Sequence, residues 1–128
     1  MSNARHYFDL KVWQLAERVF EMVCEDVKSF PKNKVAWIIE DQLVRAAGSI
    51  GANIAEGFDR KTKNDMIRFS IIARSSAAET EVWVLRTEKQ KFISAERKQK
   101  YFAKLIGIRK MINSFNYKLK MSLSYPRT

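Results

Sequence analysis

Residues 45–60, which read RAAGSIGANIAEGFDR, have the spacing of a helix and yet contain three glycines. A glycine inside a helix costs about 1 kcal/mol of stability relative to alanine. Gly48 and Gly51 lie three residues apart and are flanked by alanines, so we expect a compensating close contact between this helix and another backbone. A helix that faced solvent on this side would gain nothing from these glycines.

The same segment carries polar side chains at intervals of three or four residues, which places them along one edge of a helix: Arg45, Ser49, Asn53, Glu56 and Arg60. We interpret them as a structural polar seam in a helical bundle, because buried polar groups commonly fix helix register. We expect Asn53 and Glu56 to meet polar groups of neighbouring helices, including Glu79 and Arg86. A catalytic or ligand-binding site is the alternative interpretation.

Residues 42–60 follow the pattern Gln-Leu-x-Arg-Ala-x-x-Ser-Ile-x-x-Asn-Ile-Ala-Glu-Gly-x-x-Arg. In this motif the chain resembles the four-helix-bundle family named for the open reading frames in 23S rRNA intervening sequences. The resemblance extends to residues 8–16, to the Phe-Pro pair at 30–31 and to residues 72–81. The family often has Pro where this chain has Gly51, and Gly where this chain has Ser75.

The resemblance implies a four-helix bundle and adds expectations about assembly and partners. Characterised relatives form pentamers with a positively charged surface. Some relatives are encoded within rRNA intervening sequences, and a related group serves as accessory factor to the reverse transcriptase of diversity-generating retroelements. A pentamer and a nucleic-acid enzyme as partner are therefore implied by the resemblance alone.

The length and cysteine content predict a small cytoplasmic protein. A chain of 128 residues is expected to form one domain, residues 1–128, that buries roughly two thirds of its unfolded surface. Cys24 is the only cysteine, and no charged-then-apolar leader is visible, so we expect a soluble protein of the reducing cytoplasm. The longest uncharged run, 46–55, is about half of a membrane span.

The positive charge is confined to the last third of the chain. Residues 1–85 contain 12 Lys/Arg and 12 Asp/Glu, whereas residues 86–128 contain 12 Lys/Arg and two acids, so they carry the whole net charge of +10. This asymmetry predicts a polyanionic partner, with nucleic acid first and an acidic protein or membrane surface second. A plain solvated basic face is the remaining alternative.

The basic side chains of the last helix flank its apolar seam on both sides, which suits phosphate contacts better than reading of bases. We therefore predict binding of RNA or DNA without sequence specificity. The predicted contacts are Arg97, Lys98, Lys100, Lys104, Arg109, Lys110, Lys118 and Lys120.

The chain is predicted to be all-α, with helices at about 9–28, 32–57, 62–92 and 94–121 and no strand alternation. Asp9 is expected to cap the first helix, Gly57 to end the second, and Thr62 to begin the third. The fourth helix is expected to open at Ser94. Because the connections are short, we expect an up-down-up-down antiparallel four-helix bundle.

The third predicted helix has two apolar stripes on opposite sides. One stripe packs in the bundle, and its small residues are expected to match the glycines of the second helix. The other stripe needs a further partner, and exposed stripes of this kind usually mark interfaces. We therefore predict a homo-oligomer whose contact is formed by Ile67, Ile71, Ala78, Val82 and Leu85. The outward side of the second helix is also small enough for a neighbouring subunit to approach.

The residues that enzyme sites need are scarce in this sequence. His6 is the only histidine and Cys24 the only thiol, so neither a His/Cys metal cluster nor a nucleophile with a histidine base can be assembled. Three glutamates could at most form an oxygen-only cation site: Glu56, Glu79 and Glu81. The GSIG segment is not followed by the Lys-Ser/Thr pair of a phosphate loop. We expect no cofactor, no metal and no enzymatic activity.

These observations predict a non-enzymatic, homo-oligomeric protein whose basic surface binds nucleic acid, as a possible accessory factor to a nucleic-acid enzyme. The first alternative is a protein-interaction scaffold, for example a reverse-transcriptase partner, without direct binding of nucleic acid. The second alternative is an enzyme that uses Glu56 with Arg45 or Arg60.

Overall fold

The computed structural model describes residues 4–122, and this part of the chain is all-helical, without β-strands. A short 3-10 helix at Tyr7–Asp9 precedes four long helices. The four are α1 (Lys11–Val27), α2 (Lys34–Phe58), α3 (Lys63–Lys89) and α4 (Ala95–Met121). The predicted all-α class and the four helices are confirmed.

Three of the four helices begin at a side chain that caps the first turn. Thr62 and Ser94 accept hydrogen bonds from the backbone N–H three residues later, as does Asn33 before α2. Each bond satisfies an N–H that has no partner inside the helix. The predicted starts at Thr62 and Ser94 are confirmed. Asp9 instead accepts from the His6 backbone N–H and caps the 3-10 helix, so α1 begins two residues later.

Gly57 was expected to end α2, but it lies buried inside the helix, which ends at Phe58. A Cβ atom at Gly57 would lie 3.0 Å from the Cβ of Phe69 and 3.6 Å from the carbonyl oxygen of Met66. The missing side chain therefore lets α2 approach the backbone of α3, which is the close helix contact that the glycine content predicted.

Gly48 and Gly51 face aromatic rings of α1. A Cβ at Gly48 would lie 3.2 Å from Cε1 of Phe20, and one at Gly51 would lie 3.3 Å from Nε1 of Trp13. The expectation that these two glycines meet another backbone, or the small residues of α3, is wrong. Each glycine instead leaves room for a ring of α1.

The interior of α3 contains small side chains, whereas α2 and α4 contribute larger ones. Five of the buried α3 positions are Ala73, Ser76, Ala77, Thr80 and Thr87. Tyr101, Leu105 and Ile108 of α4 are fully buried. Helices with small facing residues can pack closely, and α3 packs against both α2 and α4.

Contacts between successive helices join late residues of one helix to early residues of the next. Gly57 of α2 faces Phe69 of α3, and Glu88 of α3 pairs with Lys98 of α4. Late residues of α1 also contact early residues of α4, through the pair of Asp26 and Arg97. None of the helices in residues 4–122 has the length and apolarity that crossing a membrane requires.

The C-terminal end of α3 lies three residues before its predicted position, because Lys91 adopts a left-handed conformation with a φ of 65°. The Phe92 N–H donates to the Thr87 carbonyl at 3.0 Å, and the Lys91 N–H donates to the Glu88 carbonyl at 2.8 Å. These two bonds form a Schellman motif, in which glycine is the usual residue at the left-handed position.

Lys91→Gly is expected to stabilise the protein by about 1 kcal/mol, because glycine adopts a positive φ without steric cost. The measurement is the urea midpoint of unfolding. Lys89→Gly is the matched control, since it removes the same charge from a helical position and should destabilise by about 1 kcal/mol. A lower midpoint for Lys91→Gly would contradict the left-handed helix end.

Candidate nucleic-acid interface

Arg97, one of the predicted phosphate contacts, is engaged within the fold. Its Nε donates to Oδ2 of Asp26 at 2.9 Å, and its Nη2 donates to Oε1 of Glu25 at 3.1 Å. The Arg97 side chain is only 25% exposed. Its guanidinium therefore joins α4 to the end of α1, and its contact with nucleic acid stays a prediction.

Tyr101 completes this cluster from the next turn of α4. Its hydroxyl donates to Oδ2 of Asp26 at 2.6 Å, so one carboxylate oxygen accepts from both α4 side chains. Burial, and then the hydrogen bond with Asp26, raises the pKa of Tyr101 far above its usual value near 10. The hydrogen bond with Asp26 likewise raises the pKa of Arg97. The neutral phenol and the cation are thus both favoured in the folded protein.

Tyr101 should make stability dependent on alkaline pH. Its pKa is raised in the folded state, so its contribution is complete below the unfolded value of about 10 and is lost as pH rises above it. Tyr101→Phe is expected to cost roughly 1–2 kcal/mol at neutral pH and to flatten this alkaline loss. Urea titrations at a series of pH values measure both effects.

Tyr117→Phe is the control for this measurement, because Tyr117 is 67% exposed and its removal should leave the pH dependence as in the wild type. An unchanged alkaline slope for Tyr101→Phe would contradict the role of its hydroxyl in the Asp26 cluster.

Two further predicted contacts are paired with carboxylates of α3. Arg109 donates to both oxygens of Glu81, at 2.7 and 3.2 Å, which is the bidentate geometry of a strong ion pair. Lys98 Nζ lies 3.8 Å from Oε1 of Glu88. Both acids of α3 thus face α4, and the contacts of Lys98 and Arg109 with nucleic acid stay predictions.

Five predicted contacts have no ion pair within residues 4–122. Four of these lysines are exposed and Lys104 is half-buried. At 100° per residue they lie on three sides of α4. The five are Lys100, Lys104 and Lys118, on the side of Gly107 that contacts α1, Lys110, opposite the buried face, and Lys120, toward α3.

Lys120 also belongs to a surface groove of about 530 Å³ that runs along the start of α3. The groove is lined by apolar side chains, including Ile67 and Ile71, and by the basic side chains of Lys63, Arg68 and Lys120. The positive charge is unevenly divided between the two halves of the fold. Residues 63–121 contain 14 Lys/Arg and five Asp/Glu, whereas residues 11–58 contain six Lys/Arg and seven Asp/Glu.

One member of the predicted polar seam, Ser49, makes a hydrogen bond between α2 and α3, and a second, Asn53, bonds to Ser49. The hydroxyls of Ser49 and Ser76 lie 2.9 Å apart. The Asn53 amide donates to the Ser49 carbonyl at 2.8 Å and to the Ser49 hydroxyl at 3.0 Å. Asn53 thus orients Ser49 within its own helix, and Ser49 makes the contact across the interface.

Among the remaining seam residues, Arg60 is half-buried, with its guanidinium 4.6 Å from the centre of the Phe69 ring of α3, and the others are exposed. Glu56 accepts from Arg60 at 2.7 Å, and Arg45 donates to Asp41 at 3.1 Å, so both pairs join residues four apart in the sequence. Glu79 is exposed. The expected meeting of Glu56 with Glu79 and Arg86 is wrong, because Glu56 and Glu79 face solvent and the Arg86 guanidinium lies 4.6 Å from the centre of the Trp83 ring. Exposed ion pairs of this kind contribute little stability.

Sequence reasoning missed the polar partners that neighbouring helices supply. Asp26 and Glu81 hold α4, Ser76 bonds Ser49, and the Ser70 hydroxyl donates to the buried Asn116. The polar residues at buried positions of α3 and α4 were the available signal. In residues 4–122, no three His, Cys, Asp or Glu side chains form a group that could hold a metal ion.

The second apolar stripe of α3 lies on the outside of the structure. Ile71, Ala78, Val82 and Leu85 are exposed, and Ile67 is half-buried. Two positions of the first stripe, Ala73 and Val84, are fully buried. The structure therefore leaves a row of apolar side chains without a partner in the described chain.

Comparisons with known proteins agree with this fold. The chain matches the family model described as 23S rRNA-intervening sequence protein over residues 8–114. It is also similar to the crystal structure of a protein of unknown function from the S23 ribosomal protein family of Bacteroides thetaiotaomicron. That similarity has a TM-score of 0.75 and 24% sequence identity, and covers 82% of this chain and 97% of the other. No curated protein sequence matches the chain significantly.

Proposed function

This chain belongs to the 23S rRNA-intervening sequence protein family, and from that premise we propose that it is a non-enzymatic, homo-oligomeric protein that binds RNA or DNA. In this proposal the lysines of α4 contact the phosphate backbone, and the protein acts in the cytoplasm, with or beside a nucleic-acid enzyme such as a reverse transcriptase.

The observation that carries the proposal is the set of lysines on α4 that lack a carboxylate partner within residues 4–122. The fold uses Arg97, Lys98 and Arg109 for its own ion pairs and leaves five lysines unpaired. Unpaired ammonium groups that are concentrated in one half of a protein create a positive potential, which attracts a polyanion. Phosphates satisfy them without a defined base sequence.

The free cations on α4 are lysines, and the two arginines of this helix are paired. An ammonium is a compact point charge, whereas the bidentate reading of guanine is a property of the arginine fork. We therefore infer binding that depends on charge density and salt and is nearly independent of sequence.

The homo-oligomer is supported by the exposed stripe of α3. Leaving several apolar side chains in water forgoes roughly 1.5 kcal/mol or more for each one that could be buried. We take the four helices to form an up-down-up-down bundle, as the contacts between successive helices favour, and a pentamer is the assembly that the family resemblance implies.

The alternative function is a protein-interaction scaffold, and one observation favours it. The first turn and a half of α2 exposes three large apolar side chains, Val35, Trp37 and Ile38, of which Trp37 is 58% exposed. A patch of this kind fits a protein partner better than a phosphate backbone. We regard it as a second surface beside the lysines of α4.

Neutralising the unpaired lysines should abolish most of the binding. A fourfold variant with Lys100, Lys104, Lys110 and Lys118 changed to Gln is expected to fold and to bind duplex RNA or DNA about tenfold or more weakly at moderate salt. For the wild type, the affinity should fall by about 0.9 log units per log unit of salt for each duplex phosphate contacted. Fluorescence anisotropy titrations measure both quantities.

The matched control changes Lys28, Lys32, Lys34 and Lys61 to Gln, since these exposed lysines lie outside α4 and the change in net charge is the same. This control should keep most of the wild-type affinity. An equal loss of affinity in both variants would mean that net charge alone, and not the position of the lysines on α4, determines binding. Absence of any binding by the wild type would favour the scaffold, and a salt-insensitive, sequence-specific complex would refute the phosphate mechanism.

Charge placed in the α3 stripe should split the oligomer. Ile71→Glu is expected to fold, because Ile71 is exposed, but to sediment as a monomer, because burying a carboxylate in an apolar interface is costly. Met111→Glu, at an exposed position of α4, is the control and should keep the wild-type mass. A monomeric wild type would eliminate the oligomer from the proposal.

A further inference from the structure

A groove of about 330 Å³ lies along the seam between α1 and α2. Three aromatic rings line it, from Tyr7, Trp13 and Phe20, together with alanines and glycines of both helices and the side chain of Glu17. Among the described residues that line the groove, Glu17 is the only acid and none is basic. The lining therefore combines aromatic surface with one negative charge.

The spacing of α1 places three of these side chains together. Trp13, Glu17 and Phe20 follow one another at intervals of four and three residues, so they lie on one face of the helix. The glycines of α2 leave room for the two rings: Nε1 of Trp13 is 3.3 Å from the Cβ position of Gly51, and Cε1 of Phe20 is 3.2 Å from that of Gly48. The rings thus pack closely against α2, with Glu17 between them in the sequence of α1.

Tyr7 supplies the third ring from the short helix before α1. Its ring centre lies 5.3 Å from that of Trp13, and the two ring planes meet at 67°. The Gln14 side-chain amide donates to the Phe8 carbonyl at 2.9 Å, which joins this short helix to α1. Two of the three rings therefore stand almost at right angles in the folded protein.

The Glu17 carboxylate has no protein partner in the described part of the chain. It is half-buried and makes neither an ion pair nor a hydrogen bond within residues 4–122. By contrast, the half-buried carboxylates of Asp26 and Glu81 are both paired with arginines. A carboxylate that has lost part of its water among apolar groups is stabilised by a cation. The occupant of the groove is therefore expected to be positively charged.

The rings favour a particular kind of cation. The face of an aromatic ring carries negative potential and attracts a cation, which is how proteins recognise quaternary ammonium groups. A primary ammonium has three N–H donors to satisfy, and the lining side chains offer acceptors only in Glu17 and the hydroxyl of Tyr7. A quaternary ammonium has no N–H group, and its methyl groups can contact the rings and the alanines. A volume of 330 Å³ suits a small group of this kind.

We propose that this groove binds a quaternary ammonium group, with Glu17 balancing its charge and the rings of Tyr7, Trp13 and Phe20 contacting its methyl groups. The site lies on α1 and α2 and uses none of the lysines of α4, so it is independent of nucleic-acid binding. A free quaternary amine and a trimethylated lysine of a peptide both carry the group that the site recognises.

The first test compares choline with its uncharged isostere, in which a carbon replaces the nitrogen. Choline is expected to bind the full-length protein with a dissociation constant of about 1 mM or lower, and the isostere at least about tenfold more weakly. The measurement is an NMR titration of the indole N–H signals at constant ionic strength. Trp13 should shift saturably, whereas Trp37 and Trp83, which do not line the groove, serve as internal controls.

Two variants test the lining. Glu17→Gln keeps the shape of the side chain and should weaken choline binding about tenfold or more. Tyr7→Leu removes one ring and should weaken it about two- to fivefold. The matched controls are Glu40→Gln, at a half-buried acid without an ion pair within residues 4–122, and Tyr117→Leu, at an exposed ring. Both should keep the wild-type affinity, and circular dichroism verifies that all four variants fold.

A trimethyl-lysine peptide distinguishes the two sources of the ligand. Binding about tenfold tighter than choline would support the site as a receptor for a modified protein, and equal binding would support it as a site for a free amine. Equal affinity for choline and the isostere, no saturable shift of Trp13, or undiminished binding by Glu17→Gln would each overturn the proposal. None of these results depends on whether the lysines of α4 bind nucleic acid.

Discussion

The carboxylate of Asp26 holds the most basic helix of the chain against α1. It accepts from both Arg97 and Tyr101, and Glu81 does the same for Arg109 from the side of α3. Without these ion pairs, the positive side chains of α4 would repel one another and the basic residues of α3. These pairs neutralise the charges at the two inner edges of α4, so the helix can pack against both neighbours.

The same pairing sorts the basic residues into two classes. Those at the inner edges of α4 are occupied by carboxylates, and those on its outer sides remain unpaired within the described chain. Binding of a polyanion through the outer class requires no rearrangement of the ion pairs that hold the fold. The proposed function therefore depends on lysines that stability does not use, which is why stability and affinity can be changed separately.

Much of the fold could be predicted because its signals are local. Thr62 and Ser94 mark helix starts through bonds that span only three residues, and the apolar spacing of each helix repeats within a few turns. Lys91 shows where a local signal failed. The left-handed position that ends α3 is usually glycine, so a lysine there gave no indication of the helix end.

The amino-acid sequence by itself determined the four helices, the opposed stripes of α3 and the concentration of positive charge after residue 85, because periodicity and composition are properties of the chain alone. Only the tertiary structure decided that Arg97 and Arg109 are occupied, that Gly48 and Gly51 receive rings of α1, and that Glu56 faces solvent. Each of these outcomes depends on the rotation and register of one helix against another. Contacts between side chains that are distant in sequence set that register, so it cannot be read from the sequence of one helix.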